Sequence, residues 1–217
     1  MGAYLDHTGG GRFLFGWKKD QPRCFGAVGI HPGGWSLTGQ MLDDSKKTWA
    51  VCPHLSDPRS LAVYYLASGS IMVLLGKCLC HDCYEMIRSS GDLTGFLNSC
   101  QLMSDKDLQE GFIDPLIRVN RYALKTKEST RNPWVCCPHV SKEGLLEKLY
   151  TNCRPIFFHE GHVSCNECRD VLPSVSSFFH AMTDCEMMND DLFQQKIVNQ
   201  LYPLNREVLK EVRRQQR

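Results

Sequence analysis

The chain has 217 residues and carries 25 basic against 24 acidic side chains, a formal net charge of +1, with 42% apolar and 23% charged residues. That balance is ordinary for a soluble globular protein and excludes a global field pulling the chain onto nucleic acid or anionic lipid. No run approaches the roughly 20 apolar residues of a membrane span, and residues 1–7 lack the positive flank and apolar core of a secretory signal. Twelve cysteines without such a signal point to metal ligation in a reducing, intracellular compartment, cytoplasmic or nuclear, rather than to a disulfide framework.

Residues 1–46 are rich in glycine and aromatics, as in Gly9-Gly-Gly-Arg-Phe-Leu-Phe-Gly-Trp17. Short apolar runs between glycines predict a β-rich N-terminal segment with tight turns. Gly9–Gly11 read as an ordinary loop, since no Gly-Lys-Ser/Thr follows them. Asp43–Lys47 reads as a linker.

From residue 47 onward the chain repeats itself at an offset of 85 residues. Trp49-Ala-Val-Cys52-Pro-His54 returns as Trp134-Val-Cys-Cys137-Pro-His139, and Cys80-His-Asp-Cys83 returns as Cys165-Asn-Glu-Cys168. Each set reads Cys-x-His, 25 intervening residues, then Cys-x-x-Cys. The register persists without a gap at Leu61/Leu146, Tyr65/Tyr150 and Gly76/Gly161, then at Cys100/Cys185, Gln109/Gln194, Asn120/Asn205 and Arg121/Arg206. The pattern predicts a duplicated module of about 85 residues, one copy over 47–131 and the other over 132–217. Whether the copies pack as one body or stand apart is left open by the sequence.

Zinc takes four tetrahedral ligands, thiolates at about 2.3 Å and imidazole nitrogens at about 2.1 Å. Cys52, His54, Cys80 and Cys83 supply one such set, and Cys137, His139, Cys165 and Cys168 a second, so two zinc ions per chain are expected. A lone Cys-x-x-Cys is equally a redox motif; two superposing four-donor sets are not. Cys100 and Cys185 also repeat, but each site already has four donors, so they read as core cysteines. Cys78, His81, Cys136, Cys153, His159 and His162 have no like residue 85 positions away and read as filling positions. His159-Glu-Gly-His162 is too short for a zinc-protease helix.

Serine caps at Ser56 and Ser141 predict helices over about 57–66 and 142–151. Strands follow near 70–76 and 155–159, each leading through a glycine to Cys-x-x-Cys, where a further helix begins. The fold class is α+β, and the order of knuckle, strand and ligand-bearing helix resembles a treble-clef zinc finger in architecture. Each copy ends in helical segments expected to be interrupted at Pro115 and Pro203. The last is a basic amphipathic helix with an apolar stripe of Leu204, Val208 and Val212. Arg206, Lys210, Arg213 and Arg214 lie on its other side, and Arg121 and Lys125 in the first copy; a phosphate or an acidic partner is the contact these residues suit.

Both zinc sets look closed, so the residues favour a non-catalytic interaction or adaptor protein binding another protein, with no small-molecule substrate evident. The alternative is a nucleic-acid-binding tandem zinc finger working through the basic helices. A zinc-dependent hydrolase comes third, because it requires one zinc to exchange a protein ligand for water.

Overall fold

A computed structural model describes residues 47–90, 93–125, 132–171 and 184–215; the expectations for residues 1–46 lie outside these. The described residues form a mixed α+β architecture around one eight-stranded sheet. Its strands are β1 (Lys47–Val51), β2 (Ile71–Leu74), β3 (Lys77–Cys80), β4 (Gln101–Ser104), β5 (Trp134–Cys136), β6 (Ile156–His159), β7 (His162–Cys165) and β8 (Glu186–Met188). The order across the sheet is β4-β1-β3-β2-β6-β7-β5-β8. Read from either edge it is the same under the 85-residue offset, and β2 and β6 meet antiparallel at the centre, with Met72 opposite Phe157.

In each half a two-residue turn joins the central hairpin. Leu75 and Gly76 both have positive φ (45° and 73°), as do Glu160 and Gly161 (45° and 80°). Two successive left-handed residues give the hairpin turn whose twist matches that of the strands, and glycine at the second place relieves half its strain. A parallel strand then lies alongside: Ala50 N–H donates to the Gly76 carbonyl at 2.7 Å, and Val135 N–H to the Gly161 carbonyl at 2.8 Å.

Helices α1 (Pro53–Ser56), α2 (Pro58–Leu66), α3 (His81–Ser90), α4 (Leu93–Ser99), α5 (Asp105–Leu108) and α6 (Asp114–Lys125) accompany the first four strands. The later strands carry α7 (Pro138–Ser141), α8 (Leu145–Thr151), α9 (Asn166–Val171), α10 (Asp190–Phe193) and α11 (Asn199–Gln215). Two expected caps differ. Asp57, not Ser56, caps α2 by accepting from the Arg59 and Ser60 amides, and Ser141 closes α7 while α8 starts after a left-handed Gly144. The helix expected over 142–151 is shortened accordingly.

The prolines do not interrupt the chain's helical path. Five residues of π-helix, Gln109–Ile113, join α5 to α6, and the Asp114 amide reaches back to the Gln109 carbonyl. That wide turn leaves carbonyls unclaimed just where Pro115 has no N–H to give. The same turn recurs at Gln194–Val198, and Pro203 lies inside α11.

One apolar core runs through both halves, and Trp49, Trp134, Tyr65, Tyr150, Phe112, Phe158 and Phe193 are its largest fully buried members. Trp134 stacks on Phe193 with centroids 4.0 Å apart, while Trp49 meets the edge of Tyr202 at 6.0 Å. Each indole N–H is satisfied by an acid at a helix start: Trp49 donates to Asp105 at 2.7 Å and Trp134 to Asp190 at 2.6 Å.

The halves brace each other reciprocally. The Tyr150 hydroxyl donates to Asn205 Oδ1 (3.0 Å) and accepts from the Gly76 amide (2.7 Å), and Asn205 Nδ2 donates to the Thr48 carbonyl (2.8 Å). In mirror fashion Tyr65 donates to Asn120 (3.0 Å) and accepts from the Gly161 amide (2.7 Å), and Asn120 Nδ2 reaches the Pro133 carbonyl (3.0 Å). Each half thus ties down the hairpin turn and strand entry of the other. Gln109 and Gln194, 85 residues apart, exchange two side-chain hydrogen bonds with each other (3.1 and 2.7 Å). A residue bonded to its own counterpart marks a pseudo-twofold axis.

Candidate metal centres

In each half the donors arrive from two places. Cys52 and Cys137 precede a proline that opens a single helical turn, α1 or α7, and the histidine two positions on sits in that turn. Cys80 and Cys165 end β3 and β7, and Cys83 and Cys168 lie in the first turns of α3 and α9. The parallel pairing of β1 with β3, and of β5 with β7, delivers the two pairs side by side; the Cys52 amide donates to the Cys78 carbonyl at 3.0 Å, the Cys137 amide to the Val163 carbonyl at 2.9 Å.

The result is two four-donor clusters, Cys52/His54/Cys80/Cys83 and Cys137/His139/Cys165/Cys168, with the donor atoms of each within 4.8 Å of one another. In the first, His54 Nδ1 lies 3.2 Å from Cys83 Sγ and 3.4 Å from Cys80 Sγ. In the second, His139 Nδ1 lies 3.3 Å from Cys168 Sγ and 3.6 Å from Cys165 Sγ. A tetrahedral ion with bonds of about 2.3 and 2.1 Å has a nitrogen–sulfur edge of about 3.6 Å. The spacing therefore suits one zinc-sized ion bound through Nδ1. Backbone amides support the sulfurs: Cys80 and Cys165 amides each point at the first cysteine's Sγ, at 3.4 Å.

The thiols cannot all ionise unaided. Cys80 is held down to about 5, chiefly by the hydrogen bond from the Cys52 thiol, and Cys165 to about 5 by that from Cys137. Their partners move the other way. Cys52 and Cys137 are pushed up, first by donating to that thiolate and then by burial. Cys83 and Cys168 rise to about 12, through burial and the neighbouring negative charge. Three thiolates in one cluster repel, and a divalent cation is what makes the set ionise together.

The other candidates fall outside the clusters. No disulfide joins the eleven cysteines among the described residues; Cys78 and Cys136 are buried in the sheet, and Cys100 is buried with its thiol raised to about 12 by desolvation. Cys185 is partly exposed, and burial raises it as well. His159 and His162 face each other across the second hairpin. Together with His81 they line a cleft that the sequence did not signal.

The basic residues are placed largely in ion pairs within the chain. Arg121 pairs with Asp190, Arg206 with Asp105 at 3.7 Å, Lys210 with Glu207 at 2.7 Å and Arg214 with Glu211 at 3.5 Å. The first two cross between the halves, so Arg121 and Arg206 belong to the bracing; Lys125 and Arg213 are solvent-exposed on α6 and α11. Among the described residues no helix is long and apolar enough to cross a membrane. Comparison with protein-family models, with curated proteins and with solved structures finds no match for this chain.

Proposed function

We propose that this chain is a non-catalytic interaction protein whose two halves are copies of one treble-clef-like module, each held by a structural zinc ion. One observation carries the reading: in both clusters the protein itself supplies all four donors, three sulfurs and an imidazole, converging from a knuckle and a helix start. A closed, sulfur-rich set is the structural pattern of zinc, whereas a catalytic ion keeps a position open for water. Binding zinc in such sites contributes roughly 10–16 kcal/mol to folding, which a sheet of three- to five-residue strands needs. The occupant of its surface is another protein in a reducing compartment, consistent with the lack of disulfides among the described residues.

The nucleic-acid alternative asks Arg121 and Arg206 to trade their pairs with Asp190 and Asp105 for phosphate contacts, and the hydrolase reading asks His54 or His139 to leave. The test is metal content of the purified chain by elemental analysis and native mass spectrometry, followed by capture of partners with and without chelator. Two zinc ions and a capture that needs zinc yet survives nuclease and high salt are expected. A metal-free chain that melts cooperatively overturns the structural role. A capture abolished by nuclease moves the assignment to nucleic acid.

A further inference from the structure

Beside the β2–β6 seam, on the sheet face carrying Phe157 and Ser164, lies a cleft of about 530 Å³. Its volume falls within the roughly 300–1,000 Å³ of small-molecule sites. It uses none of the eight metal donors, and both halves contribute walls.

The two halves differ in chemistry here. His159, Glu160, His162, Ser164 and Arg169 occupy positions whose counterparts 85 residues earlier are Leu74, Leu75, Lys77, Leu79 and Tyr84. The opposite wall shows the same divergence. At the pseudo-symmetric location Arg154 forms an ion pair with Glu167; at the cleft the corresponding residues are Gly69 and Asp82. Gly69 therefore removes the arginine that would close the cleft and pair with Asp82. Tyr64 packs over that glycine so tightly that a Cβ there would meet its ring at 2.4 Å. Its hydroxyl donates to the Ser70 carbonyl (3.0 Å) and accepts from the His81 amide (2.9 Å), which fixes the wall.

The lining is rich in donors. The Arg169 guanidinium carbon lies 4.3 Å over the centre of the Phe157 ring, a cation–π contact that anchors it beside the cleft. Imidazoles of His81, His159 and His162 share the cleft with the Ser164 side chain, itself only 5% exposed. The Ser70 hydroxyl oxygen is buried in this wall and makes no hydrogen bond among the described residues. An unpaired hydroxyl in a cleft wall is a hydrogen-bonding group that a bound ligand or an ordered water can satisfy. Two carboxylates, Asp82 and Glu160, also line the space, and Glu160 already accepts from Ser68 at 2.6 Å. They repel a bare polyanion and accept hydrogen bonds from hydroxyls.

We infer that this cleft binds a small phosphate monoester bearing hydroxyl groups, a sugar phosphate or nucleotide. Arg169 and the imidazoles take the phosphate, and Asp82 takes the hydroxyls. A planar guanidinium with neighbouring N–H donors matches phosphate oxygens in charge and geometry.

The test is calorimetric titration of the zinc-loaded full chain with ribose 5-phosphate, adenosine monophosphate, ribose and inorganic phosphate. Saturable binding of at least one ester with a Kd below about 1 mM is expected, with ribose and inorganic phosphate at least tenfold weaker. Arg169→Gln and, independently, Ser70→Ala are each expected to weaken that binding, the first tenfold or more. Zinc content, measured on each variant, distinguishes loss of the cleft from loss of the fold. No ester binding, binding unchanged in both variants, or inorganic phosphate binding as tightly as the esters (an adventitious ion only) overturns the assignment, and none of these results bears on the zinc sites.

Discussion

Replacing Tyr150 with phenylalanine removes one oxygen and tests the reciprocal bracing directly. That oxygen accepts from the Gly76 amide at 2.7 Å and donates to Asn205 at 3.0 Å, with Tyr150 and Asn205 both fully buried. The substitution leaves a turn amide and an amide oxygen without those partners, and stranding a buried donor costs about 1–3 kcal/mol. For a chain of this size 1 kcal/mol moves the melting midpoint by about 2–4 °C, so a loss near the middle of the range lowers Tm by about 4–8 °C. Tyr65→Phe strands the Gly161 amide in the same way, and the two losses should add, because the hydroxyls lie in separate networks. Tyr202→Phe is the control: its hydroxyl donates to Gln109 at 2.6 Å from a partly buried position, outside both Tyr–Asn–Gly networks. Calorimetry and denaturant titration of the three single variants and of the Tyr65/Tyr150 double variant, with zinc content held equal, decide the matter. A Tyr150→Phe shift under 1 °C, or one no larger than that of Tyr202→Phe, refutes the claim that these hydroxyls join the halves.

Three further outcomes follow from the same geometry. Gly76 and Gly144 share a φ of +73°, but a Cβ at Gly76 would sit 2.7 Å from both the Thr48 carbonyl and the Asn205 side chain, whereas one at Gly144 meets nothing within 4 Å. Gly144→Ala should cost about 1–2 kcal/mol, the left-handed penalty alone, and Gly76→Ala at least twice that; equal losses by denaturant titration would discard the clash. In the metal-free sites Cys80 and Cys165, at about 5, are already thiolates at neutral pH, while Cys83 and Cys168, at about 12, keep their protons, as do Cys52 and Cys137. Zinc must displace two thiol protons per site, so the logarithm of its affinity should rise by about two per pH unit between pH 7 and 8; a flat profile in chelator competition contradicts that proton count. Cys80→Ala opens the first cluster, and because β2 pairs with β6 the damage should reach the second half, giving one lowered transition instead of two. Independent melting of an intact second half would show that the central pairing carries no cooperativity.

The two Cys/His clusters were legible in the sequence because each pair is local, two or three positions apart within a single turn, and the 25-residue gap is the same in both sets. The central strands and the helices after the second ligand pairs were legible for a like reason, being continuous apolar runs or starts fixed by neighbouring residues. The edge strands β4 and β8 were not, since three or four residues such as Glu186–Met188 carry no period of their own. Gln109, Asn120, Tyr65 and Arg121 were visible as repeated letters, yet their role was hidden. Their partners are 69 to 96 residues away for Arg121–Asp190 and Tyr65–Gly161, and side chains of these types have no local signature. Arg121 and Arg206, read as partner contacts, also meet Asp190 and Asp105, acids that the fold brings to them across the axis. Proline was over-read as a break because the π-turn that accommodates Pro115 leaves no compositional trace.

Joining both halves in one chain has a further consequence. Were the reciprocal Tyr–Asn–Gly contacts made between separate chains, they would depend on concentration and would oblige both surfaces to be identical. A tether holds the halves at an effective concentration in the millimolar range or above, so pairing survives dilution. Each half then needs only to match its neighbour, not itself. Residues off the axis are released from symmetry, and a single asymmetric surface can arise on a nearly symmetric frame.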